Sequence, residues 1–313
     1  MQYAIIGAGG TGGTLAAYLT KGGADVTLVA RGRHLQAIQE SGLVIDRTWL
    51  TPEADEFLTV SVKAMTAEDY QAGCAARKPD VVFVCVKSYS LDSVLPILKG
   101  VTDSHTIVIP ILNVYGTGAK LQAQLPGCLV TDGCIYVSAG IQSPGRLFQT
   151  GSILRVVYGV REAAEARMEL AAIRDELNER GITAILSDDI RRDALEKFSY
   201  VSPIGVAGLY YGAKAGDFQR EGKERELFKA MIQEVSLLAG AMGIGLDRDL
   251  VAKNLNILST LSPDSTTSMQ RDIAEGRSSE LDGLLFEVLR MAEKYGTELP
   301  NYRMASEKLS QYL

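Results

Sequence analysis

The sequence predicts an α/β domain followed by an all-helical domain, and three observations carry that prediction. Strand-like apolar runs alternate with helical segments through the first half of the 313-residue chain, the pattern of a parallel sheet with crossover helices. Two of the runs, "PDVVFVCVK" and "HTIVIPILN", are nearly unbroken, which suits strands buried on both faces. From about residue 188 apolar residues recur at three- and four-residue spacing with no further strand pattern, as amphipathic helices require. The expected domains are therefore 1–187 and 188–313.

In chain order, "YAIIG" reads as a short strand, "TLAAYLTKGG" as a helix closed by glycines, and "DVTLVAR" as a second strand. "LVIDR" and "FLTVSV" alternate polar and apolar residues, as hairpin or edge strands do. Strands follow at "CLVTDGCIYV", "GRLFQT" and "ILRVVYG", with "SPG" as a turn. A helix is expected over 161–180, stopped by Gly181 and leading into a strand at "ITAILS". The remainder reads as helices at "DDIRRDALEKFSYV", "EGKERELFKAMIQEVSLLAGAMG", "RDLVAKNLNILSTL" and "ELDGLLFEVLRMAEKYG".

Composition narrows the function. The net charge is −6 with no basic cluster, so nucleic acid and anionic membranes are poor partners. No apolar run approaches the ~18 residues of a membrane span. The N-terminus lacks the basic start of a secretory signal and runs directly into a strand, so a cytoplasmic protein is expected. Cys74, Cys85, Cys128 and Cys134 form no C-x-x-C pair and read as reduced thiols. With only His34 and His105 in the chain, no metal site is expected.

The first strand opens into G-x-G-x-x-G through Gly7, Gly9 and Gly12. In a strand–helix–strand unit of about thirty residues this is the dinucleotide-binding fingerprint of a Rossmann-type domain. Gly7 permits the tight turn, Gly9 lets the backbone approach a pyrophosphate, and Gly12 lets the helix pack on its strand. The second strand ends not in the acidic residue of an NAD site but in Arg31, with Arg33 close behind. A guanidinium clamps a 2′-phosphate that a carboxylate would repel, so NADPH is the expected cofactor. Lys87 and Asn113 each follow an apolar strand, at the carboxyl edge where open parallel sheets bind ligands. Taken singly, either residue could be a snorkelling or capping group, and Arg31 a solvated one.

Delivering a hydride to a carbonyl creates an alkoxide that needs a proton donor. His34 follows the second strand and His105 precedes a later one, so neither suits that role. A lysine from the helical half is the substitute.

"GAGGTGG", "VAR", "VCVKSYS", "ILN", "LEKF" and "TSMQRDIAEGRSSELD" together resemble the ketopantoate reductase (2-dehydropantoate 2-reductase) family, over essentially the whole chain. The resemblance implies a Rossmann domain followed by a helical domain, and NADPH-dependent reduction of ketopantoate to pantoate in pantothenate biosynthesis. It gives Lys197 the role of general acid and Glu280 that of the carboxylate orienting lysine and substrate. It gives Ser268 the substrate carboxylate, Asn113 the seam between nicotinamide and substrate, and Lys87 a place beside the cofactor. Read without it, Lys197 is a surface lysine, Glu280 a charge at a helix N-terminus and Ser268 a helix cap.

The chain also departs from the family. Val201 and Gly205 stand where asparagines usually follow the lysine, and Val114 replaces a glycine after Asn113. A register shift around Pro203 would bring Ser202 into the site instead. The expected substrate is a small 2-oxo acid, by default ketopantoate. Two alternatives stay open: a paralogue acting on a different, less hydroxylated 2-oxo or β-keto acid, and a non-catalytic NADP sensor. The helical half offers faces for a second copy, so a homodimer is the assembly to look for.

Overall fold

A computed structural model describes residues 1–47, 57–74, 77–246 and 249–313. Two compact units result: Met1–Leu112 with Gly116–Ile190, and Asn113–Tyr115 with Arg191–Leu313.

The first unit begins β1 (Gln2–Ile6), α1 (Gly10–Lys21), β2 (Asp25–Val29), α2 (Gly32–Ser41), β3 (Leu43–Asp46), β4 (Phe57–Val60) and β5 (Lys63–Met65). It continues through α3 (Ala67–Gly73), β6 (Val81–Val84), α4 (Leu91–Val101), β7 (Ile107–Pro110), α5 (Thr117–Gln124) and β8 (Leu129–Val130). It closes with β9 (Asp132–Ser143), β10 (Arg146–Gly159), α6 (Met168–Glu179) and β11 (Thr183–Leu186).

Six strands form one parallel sheet in the order β5-β2-β1-β6-β7-β8. Its central strands are buried on both faces. Tyr3 and Ile5 of β1 and Val81 and Phe83 of β6 point into one core, while Ala4, Ile6, Val82 and Val84 point into another. That division follows from the two-residue period of a strand and explains why these segments read as unbroken apolar runs.

A second sheet, in the order β11-β10-β3-β4 with β9 paired to β10, was not foreseen as a sheet. The hairpin expected of "LVIDR" and "FLTVSV" forms as the antiparallel β3–β4 pair. "GRLFQT" and "ILRVVYG", expected as two strands, are the single strand β10, whose pairing with β9 shifts register between Arg146 and Leu147 and again between Thr150 and Leu154. The expected "CLVTDGCIYV" strand divides instead, β8 joining the first sheet and β9 the second. β5 was not expected at all; its three residues are too few to carry a period. The helix expected over 161–180 begins only at Met168. Ala166 and Arg167 before it are extended, and a 3₁₀ turn at Ala163–Glu165 precedes them.

The second unit is helical: α7 (Ile190–Tyr211), α8 (Ala215–Gln219), α9 (Lys223–Ala241), α10 (Leu250–Ser259), α11 (Ser268–Ala274), a π-helical turn at Asp282–Phe286, α12 (Glu287–Lys294) and α13 (Pro300–Leu309). The helix expected to start at Arg248 starts at Leu250, and Arg248 itself lies outside the described residues. No described helix is long and apolar enough to cross a membrane.

α7 passes straight through Pro203, so the register shift that would have brought Ser202 into the site does not occur. Proline cannot supply the N–H that would bond the Ser199 carbonyl one turn back. Asn254 of α10 substitutes, its Nδ2 donating to that carbonyl at 3.0 Å. Ser202 is buried and lies at 2.6 Å from both the Leu284 carbonyl oxygen, to which it donates, and the Tyr302 hydroxyl. Its hydroxyl ties α7 to the π-helical turn and to α13.

Glu234, only 3% exposed, serves the start of α13. Its carboxylate accepts from the Asn301 N–H and side-chain amide at 2.7 Å each, and from the Tyr302 N–H at 3.1 Å. Glu234→Ala leaves those buried donors unpaired. The expected loss is about 2–4 kcal/mol, measurable by urea unfolding; a change within a few tenths would show the cap to be dispensable.

Candidate active site

The first group of candidate residues lies at the carboxyl ends of the parallel strands. β1 has β2 on one side and β6 on the other, which makes the end of β1 the switch point where open α/β sheets bind ligands. Gly7 follows β1 with φ +107°, a conformation other residues rarely adopt. Its N–H bonds the Val29 carbonyl at 3.2 Å, and a Cβ there would stand 3.0 Å from the Cys85 carbonyl oxygen. Gly9 is the N-cap of α1, and a Cβ on it would meet nothing within 4 Å. A Cβ on Gly12 would fall onto the Gly7 carbonyl oxygen and within 2.8 Å of Cys85 Cβ.

The three glycines thus differ in physical role: one turns the chain, one leaves an open face, and one permits close packing. The first turn of α1 carries no acidic residue, and its N-cap Gly9 makes no side-chain cap bond. This is a cradle that an anion such as pyrophosphate fits.

Arg31 stands two residues beyond β2, as the extended N-cap of α2, and is exposed together with Arg33. Lys87 stands three residues beyond β6, half-buried, with its carbonyl accepting from the Ser90 N–H at 2.9 Å. His34 has a structural task instead. Its Nδ1 accepts from the Gly145 N–H at 3.0 Å, and burial lowers its pKa, so the ring is held neutral. His105 pairs with Asp103 beside the start of β7.

The second group lies wholly in the helical unit. Lys197 Nζ on α7 donates to Asn113 Oδ1 at 2.9 Å. Asn113 Nδ2 in turn donates to Glu280 Oε2 at 3.4 Å. Glu280 is 3% exposed and stands immediately before the helical segment that contains the π-helical turn, an irregularity common at functional positions. The amide of Asn113 therefore separates an ammonium from a carboxylate, with its carbonyl toward the lysine and its NH₂ toward the glutamate. Asn113 reaches this position because the next two residues anchor it. Val114 is buried in the helical core, and Tyr115 lies 6.1 Å, ring to ring, from Phe198. The valine that departs from the family pattern is thus a packing residue.

Ser268 is the first residue of α11, and the cap is Thr267, whose hydroxyl accepts from the Gln270 N–H at 3.2 Å while Gln270 Oε1 accepts from the Thr267 N–H at 3.0 Å. The capping reading of Ser268 is thereby overturned; the "TSMQ" capping-box spelling was the signal that could have placed the cap correctly. α11 seats against α7 through its glycines. A Cβ on Gly205 would lie 3.2 Å from Met269 Cε, and one on Gly208 would lie 2.9 Å from Gln270 Oε1. Met269 and Tyr115 went unnoticed in the sequence, because nothing in their local pattern marks them.

Residues 3–162 match the family model described as Ketopantoate reductase PanE/ApbA, and residues 189–312 match Ketopantoate reductase PanE/ApbA C terminal. The chain is similar to the uncharacterized oxidoreductase YkpB of Bacillus subtilis (strain 168), 23% identical with 100% of this chain and 99% of that protein covered. It is similar to the 2-dehydropantoate 2-reductase of Mesorhizobium japonicum, 28% identical with 91% and 89% covered. It shares its fold with D-mandelate dehydrogenase, solved with NADH and anilino(oxo)acetate, at TM-score 0.86 and 20% identity, covering 100% of this chain and 98% of that one.

Proposed function

Since the chain belongs to the ketopantoate reductase family and is an oxidoreductase acting on CH–OH groups, we propose that it reduces a 2-oxo acid to the 2-hydroxy acid with NADPH. The observation that carries this reading is the chain Lys197–Asn113–Glu280. A buried carboxylate, linked to the lysine through one amide, fixes where the lysine's proton points.

The nicotinamide supplies the hydride when bound. Lys197 holds the proton: its Nζ faces the developing alkoxide and neutralises it, contributing both charge and general-acid catalysis. Asn113 orients that ammonium and borders the nicotinamide. Glu280 keeps the Asn113 amide in the orientation that presents oxygen to the lysine. Ser268 takes the substrate carboxylate. Gly7, Gly9 and Gly12 shape the α1 N-terminus for the pyrophosphate, Lys87 lies beside the cofactor, and Arg31 takes the 2′-phosphate.

The test is NADPH consumption with a panel of 2-oxo acids, ketopantoate first, since the Mesorhizobium relative carries that activity in its name. No turnover on any of them overturns the reading. For the cofactor, Arg31→Ala should weaken NADPH binding about tenfold to a hundredfold, the value of a charge-assisted contact to phosphate, and leave NADH nearly unaffected. Equal effects on both cofactors would mean that Arg31 does not read the phosphate.

A further inference from the structure

The face of α7 that carries Lys197 continues through Val201 and Gly205, one and two turns on. It offers no side-chain hydrogen-bonding group there. Val201 is half-buried and presents only methyl groups. Gly205 is buried and has no side chain, and Met269, 1% exposed, brings its terminal methyl to within 3.2 Å of where a Cβ would stand. Leu284 Cδ1 closes the same spot at 3.9 Å. The hydroxyl of Ser202, the residue after Val201, is committed to the Leu284 carbonyl and the Tyr302 hydroxyl. The face is therefore apolar at the first turn beyond the lysine and closed by a methionine at the second.

We propose that the substrate is a 2-oxo acid with a compact, branched, unhydroxylated hydrocarbon substituent, received by Val201 and limited in length by Met269 packed on Gly205. The inference rests on the reading of Lys197 as the group at the substrate carbonyl. With that carbonyl at Nζ, a substituent running along α7 meets Val201 about 6 Å on, the rise of four helical residues. A hydroxyl on the substituent would be desolvated there without a partner, whereas methyl groups lose nothing. A longer chain would have to displace Met269, which is buried with its terminal methyl against Gly205.

Two compounds that differ by one hydroxyl test this directly: 3,3-dimethyl-2-oxobutanoate and its 4-hydroxy derivative, ketopantoate. The expected result is a kcat/KM at least about tenfold higher for the compound without the hydroxyl, the usual cost of an unpaired buried polar group. Val201→Asn should move the ratio about tenfold toward the hydroxylated compound. Val201→Thr, which keeps the volume of valine, should move it the same way by less. A wild-type preference for ketopantoate, or a ratio unmoved in both folded variants, overturns the proposal.

Calorimetric binding of the two corresponding 2-hydroxy acids to the protein loaded with NADP⁺ separates the two readings. Preferential binding of the unhydroxylated acid without turnover of either oxo acid overturns the reductase reading alone. Turnover with ketopantoate preferred overturns the substituent reading alone. Binding of neither acid, with no turnover, overturns both.

Discussion

Lys197→Ala should lower kcat for the preferred 2-oxo acid by about 10²–10⁴-fold, the range that a positioned general acid contributes. The KM for NADPH should change little, because the glycine loop and Arg31 belong to the other compact unit. The loss should appear in single-turnover NADPH oxidation as well as in the steady state, since the lysine acts on the chemical step. Glu280→Gln should give a smaller loss: an amide oxygen can still accept from Asn113, which donates to Glu280 at 3.4 Å, but with a neutral acceptor it holds the Asn113 amide less firmly. Near wild-type turnover in Lys197→Ala would remove the lysine from the mechanism, whatever its hydrogen bonds.

Gly12→Val should have the second large effect. Its Cβ would fall on the Gly7 carbonyl oxygen, with Cys85 Cβ at 2.8 Å and Ile5 Cγ2 at 3.1 Å. None of these atoms is the far end of a flexible side chain, so α1 has to move off the sheet. The expected cost is more than about 3 kcal/mol, with a fall in melting temperature that is present before any cofactor is added. Gly9→Ala is the control, because its Cβ would project into open space. That variant should melt close to the wild type yet bind NADPH at least about tenfold more weakly, its methyl standing where the pyrophosphate approaches. If Gly12→Val folds and binds NADPH normally, close packing at Gly12 is not what the loop requires. If Gly9→Ala binds NADPH normally, the pyrophosphate does not lie against Gly9.

The two variants also show why the glycine loop was legible in the sequence. Its turn, open face and close contact all arise within one strand–loop–helix segment, and the turn at Gly7 and the close contact at Gly12 each demand glycine for a local reason. The same holds for the strands around Phe83 and Ile109, whose burial on both faces forces an apolar run, and for the helices of the second unit. Arg31 and Lys87 were findable for a related reason: a strand end fixes an edge, and the edge fixes where a following residue stands.

Elsewhere the sequence stopped short because the deciding partner lies far along the chain. β10 runs as one strand because β9 pairs with both of its halves, while β3 and β11, more than a hundred residues apart in sequence, pair with its two ends. Asn113 read as the end of a strand, yet Val114 and Tyr115 draw it into the helical core, 84 residues from the lysine it bonds. Pro203 read as a disruption of α7, and Asn254 supplies the hydrogen bond that proline cannot.

By itself, then, the sequence determined the α/β-then-helical order and the glycine loop, because each depends on local period or on a short motif, whereas Lys197 and Glu280 stood out only through the resemblance to a family. Only the tertiary structure decided that one amide links the lysine to the glutamate and that Gly205 makes room for Met269. Those outcomes are set by which side chains meet across helices, and no local pattern encodes such a meeting.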